Sequence, residues 1–212
     1  MNSWLRSHLL FAALFLSSSA LTPEECQPLV TPLSLADPSL LYGKWHLLAG
    51  NTDSNTFNAI LNVTESSWMN IKASSPSEIV MSEENNIGGT CFSGTENGTI
   101  EGNTVTMKLP NMTSEFHVLP SCQDCLLLSG NTTVKNFKQM LQLLKLSDTD
   151  VPDELHGHAL YLLGKTPTLT DSDLEHFKKQ ASCLGFSGEP DFEYKPEKSF
   201  CKEGEGIRMP FS

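Results

Sequence analysis

The chain has 212 residues, and 25 acidic against 14 basic side chains give it a formal net charge of −11. That balance argues against nucleic acid and anionic lipid as partners, and it favours a cationic ligand unless the charge serves only solubility. The length suits one domain with a full core, and six cysteines point to disulfides in an oxidising compartment.

At the start, Arg6 and His8 precede the apolar run Leu9 to Leu16, and Ser18-Ser19-Ala20 offers small residues at a cleavage site. This predicts a secretory signal peptide over residues 1–20, leaving 21–212 as a single extracellular domain in plasma or mucus. Pro23, Pro28, Pro32 and Pro38 then predict an extended, irregular arm rather than a helix.

The next stretch, Leu41-Tyr42-Gly43-Lys44-Trp45-His46-Leu47, reads as the opening strand. Gly43 permits a tight start, and Trp45 is large enough to plug one end of a barrel. A second strand is expected from Phe57 to Ala73. Phe57, Ala59, Leu61, Val63, Met69, Ile71 and Ala73 share a parity there, and a glycan on Asn62 would turn the even positions outward. Shorter strands follow at Glu78 to Glu84, Cys91 to Glu101, Thr104 to Leu109, Glu115 to Leu119 and Cys125 to Ser129, each bounded by Gly, Asn or Pro. Gly157 to Lys165 makes the eighth. The expectation is an all-β, eight-stranded antiparallel up-and-down barrel, whose interior holds side chains or one small ligand.

Two helices are expected beside it. Thr170 caps a C-terminal amphipathic helix with Leu174, Phe177, Ala181 and Leu184 on one face, ended by Gly185. Val134, Phe137, Met140, Leu141 and Leu144 trace an extra helix, Val134 to Leu146, between strands seven and eight. That connection falls at the open end of an up-and-down barrel, so the helix is expected to act as a lid. Docking on the outer wall is the competing expectation. The tail from Glu203 to Ser212 is expected to be loose.

Alternation nominates cavity-facing residues: Leu47 and Ala49 on the first strand, then Leu61, Val63, Met69 and Ile71. Ile79, Met81 and Glu83 follow, then Val105, Met107, Phe116, Val118, Leu160 and Leu162. Glu83 is the candidate for pairing with a cationic ligand, against the plainer reading of a solvated charge. N-glycosylation sequons stand at Asn62, Asn97, Asn111 and Asn131. Cys122-Gln123-Asp124-Cys125 has redox spacing, but Leu126-Leu127-Leu128 continues it as a strand rather than a helix, which favours a structural bridge. His156 and His158 share one side of a strand without a third ligand, so no metal site is expected. No catalytic constellation or phosphate loop is present, so neither enzymatic activity nor a cofactor is expected.

Cys26 with Pro28-Leu29-Val30 ahead of Gly43-Lys44-Trp45, then Cys91, Cys183-Leu184 and Cys201, resemble the lipocalins across nearly the whole mature length. The branch they resemble is that of α1-acid glycoprotein and apolipoprotein M. Leu160 to Lys165, Thr170 to Leu174 and Cys183 to Phe186 are similar, more narrowly, to fish plasma proteins that bind saxitoxin and tetrodotoxin or tributyltin. The resemblance implies disulfides Cys26–Cys183 and Cys91–Cys201, leaving Cys122 and Cys125 for each other. It also implies a monomeric carrier of a lipophilic or cationic ligand such as a toxin, an organotin or a drug-like base. A second class of function is an acidic glycoprotein with a filled barrel, acting through its surface in immune modulation or lipoprotein association. An oxidoreductase using the Cys122–Cys125 pair is a third.

Overall fold

A computed structural model describes residues 21–146 and 151–209. The expected signal peptide and the last residues of the tail lie outside the described residues. The chain opens with helix α1 (Pro23–Val30). The extended arm expected there is therefore corrected. Thr22 and Glu25 form a capping box and Pro23 occupies the first turn, where its missing N–H costs nothing. Pro28 sits inside this short helix, which is held by the Cys26–Cys183 bridge.

Eight antiparallel strands close a barrel: β1 (Gly43–Thr52), β2 (Thr64–Ser75), β3 (Glu78–Ile87), β4 (Thr90–Glu101), β5 (Thr104–Leu109), β6 (Met112–Leu119), β7 (Cys125–Lys135) and β8 (Glu154–Gly164). Each strand pairs with the next, and β1 pairs with β8 to complete the ring. The expected strand from Phe57 to Ala73 is corrected in its first half. Residues Asn55–Val63 form helix α2, and β2 begins only at Thr64. Ser54 Oγ accepts a hydrogen bond from Phe57 N, and Phe57, Ile60 and Leu61 recur at helical spacing.

The expected helix Val134 to Leu146 is likewise shortened. Val134 and Lys135 finish β7, paired with Leu155 and Glu154, and helix α3 covers only Lys138–Leu143. Asn136, with φ 54°, turns the chain between them. The C-terminal helix α4 (Asp171–Cys183) is capped by Thr170 as expected. It lies on the outer wall, where Phe177 and Ala181 pack with Leu48, Ala49, Leu119, Leu127, Leu160 and Leu162.

Short strands β9 (Phe192–Glu193) and β10 (Ile207–Arg208) pair with β1 and β4. The tail is therefore not loose through its described part. Ile207 and Arg208 add a parallel edge to Phe92 and Ser93, and Gly204 N donates to Glu84 Oε1 at 2.6 Å. The three disulfides are Cys26–Cys183, Cys91–Cys201 and Cys122–Cys125. Among the described residues no helix is long and apolar enough to cross a membrane.

A candidate ligand cavity inside the barrel

Trp45 seals the closed end. Its indole Nε1 donates to Leu41 O at 2.8 Å, and Lys165 Nζ stands 3.5 Å from the ring centroid while donating to Tyr42 O at 2.7 Å. Burial lowers the Lys165 pKa. Above this plug Leu47, Ile71, Ile79, Val105 and Met107 form a continuous apolar core.

The barrel is not filled. A cavity of about 320 Å³ is lined by these side chains, with Leu41 at its base, and runs to the mouth. Its lining is predominantly apolar, rich in Met and Leu with few aromatic rings, as adaptable small-molecule pockets tend to be. Chain direction places the β1–β2 and β7–β8 connections at this end, and these carry α2 and α3. Phe57 and Ile60 from the first, and Phe137, Met140 and Leu144 from the second, reach the cavity. Phe57 and Phe137 meet edge to face at 6.0 Å, so the two connections touch over the opening. Met140 and Leu141 are buried, and Leu141 packs into the cluster beneath α3 rather than the cavity.

Polar groups line the cavity from β2, β3, β4 and β8, and Ser114 with Thr132 from β6 and β7. Ser67 Oγ donates to Asn85 Oδ1 at 2.6 Å, and Glu83, Glu96 and Tyr161 line the same space. Burial raises the Glu83 carboxyl, with the Glu84 charge adding to it and a hydrogen bond from Asn85 opposing it. Burial and the Glu83 charge push Glu96 to about 8, and burial and Glu83 push the Tyr161 hydroxyl to about 12.

Of the nominated residues, Leu47, Leu61, Met69, Ile71, Ile79 and Met81 line the cavity. So do Glu83, Val105, Met107 and Phe116. Val118 is buried in the core below. Val63 ends α2 and opens instead on an outer cleft, a consequence of helix replacing strand. Leu160 and Leu162 face α4, because the inward residues of β8 are Ala159 and Tyr161. Ala49 also faces α4: a bulge between Leu47 and Ala49 breaks the alternation of β1.

Glu96 and Tyr161 were not nominated. Glu96 had a usable signal, since Asn97 is an exposed sequon asparagine in β4 and its neighbours must point inward. Asn62, Asn97 and Asn131 are exposed, whereas Asn111 is half-buried on the cavity rim. His158 bonds Ser129 Oγ at 2.9 Å and His156 bonds Thr133 Oγ1 at 3.0 Å, both away from the cavity. No cluster of metal-ligating side chains occurs among the described residues.

The architecture is a closed eight-stranded barrel with a largely apolar cavity that opens at one end. Comparison with solved structures gives that fold a name. The siderocalin Ex-FABP, described as functioning through dual ligand specificities, matches with a TM-score of 0.54 at 13% identity over 74% of this chain and 96% of its own. A second siderocalin, described as revealing a dual ligand binding mode, matches at 0.52 and 14% identity over 75% and 94%. The odorant-binding protein OBP1 matches at 0.51 and 14% identity over 74% and 90%. The fold is that of the lipocalins. No protein-family model and no curated protein matches the sequence.

Proposed function

We propose that the chain is a secreted, glycosylated carrier that holds a small lipophilic or cationic molecule in the barrel cavity and performs no chemistry on it. The observation that carries this reading is the open apolar cavity of about 320 Å³. A barrel acting only through its surface would gain packing energy by filling that space. Secretion is supported by the leader-like residues 1–20 and by pairing of all six cysteines. Glycosylation is supported by the exposure of Asn62, Asn97 and Asn131.

Placement in the α1-acid glycoprotein and apolipoprotein M branch rests on the cysteine pattern and the sequence blocks around it. The fish toxin-binding and organotin-binding proteins give candidate ligand classes within it. The dual ligand behaviour reported for the two siderocalins makes more than one ligand chemistry reasonable for this cavity. Native mass spectrometry of the monomeric protein purified from its source tests the proposal. A non-covalent adduct that dissociates on mild activation is expected. Protein that is ligand-free from source and also fails to bind the neutral fluorophore N-phenyl-1-naphthylamine would overturn it.

A further inference from the structure

Glu83 and Glu96 are diagonal neighbours across β3 and β4, with Glu96 opposite Met81 and Glu83 opposite Gly94. Both line the cavity, and Glu96 is only 8% exposed. Among the described residues no hydrogen bond or opposite charge offsets the burial of its carboxylate, and the neighbouring Glu83 charge adds to it. No lysine, arginine or histidine appears among the lining residues. Glycine flanks Glu96 on the inner face of β4, at Gly94 and Gly98. A Cβ on Gly94 would come within 3.0 Å of Glu83 Oε1, so the missing side chain is what lets the Glu83 carboxylate lie against β4. Both acids therefore face a largely apolar cavity in which no lining side chain carries a positive charge.

Two ionised carboxylates side by side in such a space repel one another and have lost hydration, and a single positive charge relieves both penalties. Without ligand that charge is a proton. With ligand it can be the ligand's own cationic group. We propose that the Glu83–Glu96 pair is a cation-for-proton exchange site, holding one shared proton in the unliganded barrel and releasing it when the ammonium or guanidinium end of an otherwise apolar ligand enters. The exchange breaks one carboxyl O–H bond, sends the proton to solvent, and replaces it with charge-assisted N–H···O hydrogen bonds.

The inference rests on the carrier reading and adds to it the ligand's charge and the protons it displaces. Burial and the Glu83 charge keep Glu96 near 8, and burial with the Glu84 charge raises Glu83, so a proton is retained around neutrality. Tyr161 on β8 is the other titratable lining group. At about 12 its hydroxyl stays protonated and can donate to the pair or the ligand. Glu84 lies on the other face of β3 and takes the N–H of Gly204 from the tail.

The test uses the full mature protein with octylguanidinium, which stays cationic throughout, and 1-octanol of equal chain length, each displacing N-phenyl-1-naphthylamine. Octylguanidinium affinity should rise up to about tenfold per pH unit between about pH 6 and 8, as expected for one displaced proton, while octanol affinity stays flat. Calorimetry in phosphate and Tris should show release approaching one proton per ligand. Glu96→Gln should move the pH dependence to lower pH, and the double variant with Glu83→Gln should abolish the preference for octylguanidinium. Retained fluorophore binding shows that each variant barrel is intact. Equal affinity for the two ligands, a pH-independent octylguanidinium affinity, or a double variant that keeps the preference, each with the fluorophore still bound, overturns the exchange site and leaves the carrier reading standing. Failure of the fluorophore and both ligands to bind the wild type overturns both.

Discussion

At the scale of single residues, Glu96 links the cavity to stability. Its carboxyl titrates at about 8 in the folded chain against 4.5 for an ordinary glutamate. Between those values the folded protein keeps a proton that the unfolded chain has released. The stability associated with this group is therefore complete below the lower value and is lost as pH rises through the upper one. Gln mimics the protonated acid in shape and cannot ionise. Glu96→Gln is expected to leave stability unchanged near pH 4 and to raise it by about 2 to 4 kcal/mol at about pH 8.5, where the wild type holds a buried charge. Urea unfolding with disulfides intact measures this, and an equal effect at both pH values would show that the charge is not the cause.

The same residue shows what alternation along the chain conveys and what it does not. Period-2 patterning sorts side chains into two faces, but it names the inner face only when the other is polar. On β3, Ser82 and Glu84 alternate with Ile79, Met81 and Glu83, and the inward set was legible. On β8 both faces are apolar, since Ala159 and Tyr161 look into the barrel while Leu160 and Leu162 lie under α4. Nothing local distinguishes them, and the bulge at Leu48 hides the face of Ala49 in the same way. Glu96 was obscured by its own charge between two glycines, although the exposed Asn97 beside it reveals its direction.

At the scale of elements, the helices at the mouth were partly legible. Phe57, Ala59 and Leu61 satisfy a strand period, while Phe57, Ile60 and Leu61 satisfy a helical one. In so short an apolar run the cap at Ser54 decides. For α3 the apolar stripe was correctly associated with the open end, but Val134 belonged to the sheet. Phe137, Met140 and Leu144 reach the cavity, with Lys138 exposed on the other side. A six-residue helix has little intrinsic stability, so its order depends on what lies beneath it.

Ligand in the cavity should therefore slow hydrogen exchange across residues 138–143, and unchanged protection at saturation would show that α3 is fixed packing. Phe137→Ala removes the edge-to-face contact with Phe57 that joins the two connections. The expected result is faster ligand dissociation, by about five- to tenfold for the loss of an aromatic contact of about 1 kcal/mol plus some buried area. Stopped-flow displacement of a bound fluorophore reads this directly, and an unchanged rate would mean that ligand leaves by another path.

At the scale of the whole molecule, the barrel was legible because turn residues punctuate it regularly, whereas the covering of its outside was not. The tail showed no apolar periodicity, only single residues such as Ile207 and Met209 among Gly and charged ones, yet the C-terminal segment lies across β2, β3 and β4. Trp68 Nε1 donates to Cys201 O at 2.8 Å, Ser66 Oγ donates to Ser199 O at 2.8 Å, and Ser93 Oγ donates to Gly206 O at 3.0 Å. These partners are more than a hundred residues away in sequence, so no local pattern announces them. The Cys91–Cys201 bridge, with a sequence separation of 110, pins this segment.

In the chain-entropy account, closing a loop of that length destabilises the unfolded chain by about 5 kcal/mol. Replacing Cys91 and Cys201 together by Ser should cost about 3 to 5 kcal/mol and should also release the tail, uncovering the buried Glu84 and the outer edge of β4. The tail reaches the mouth at Met209, so its release should also loosen the cavity rim and weaken ligand binding, although the cavity wall is untouched. Cys122 and Cys125 close only a short loop at the opposite end, and their replacement should cost about 2 kcal/mol with affinity unchanged. Thermal unfolding and fluorophore titration of the two double variants compare these directly. Equal losses of stability, or an affinity that falls only in the Cys122/Cys125 variant, would show that the tail does not brace the mouth.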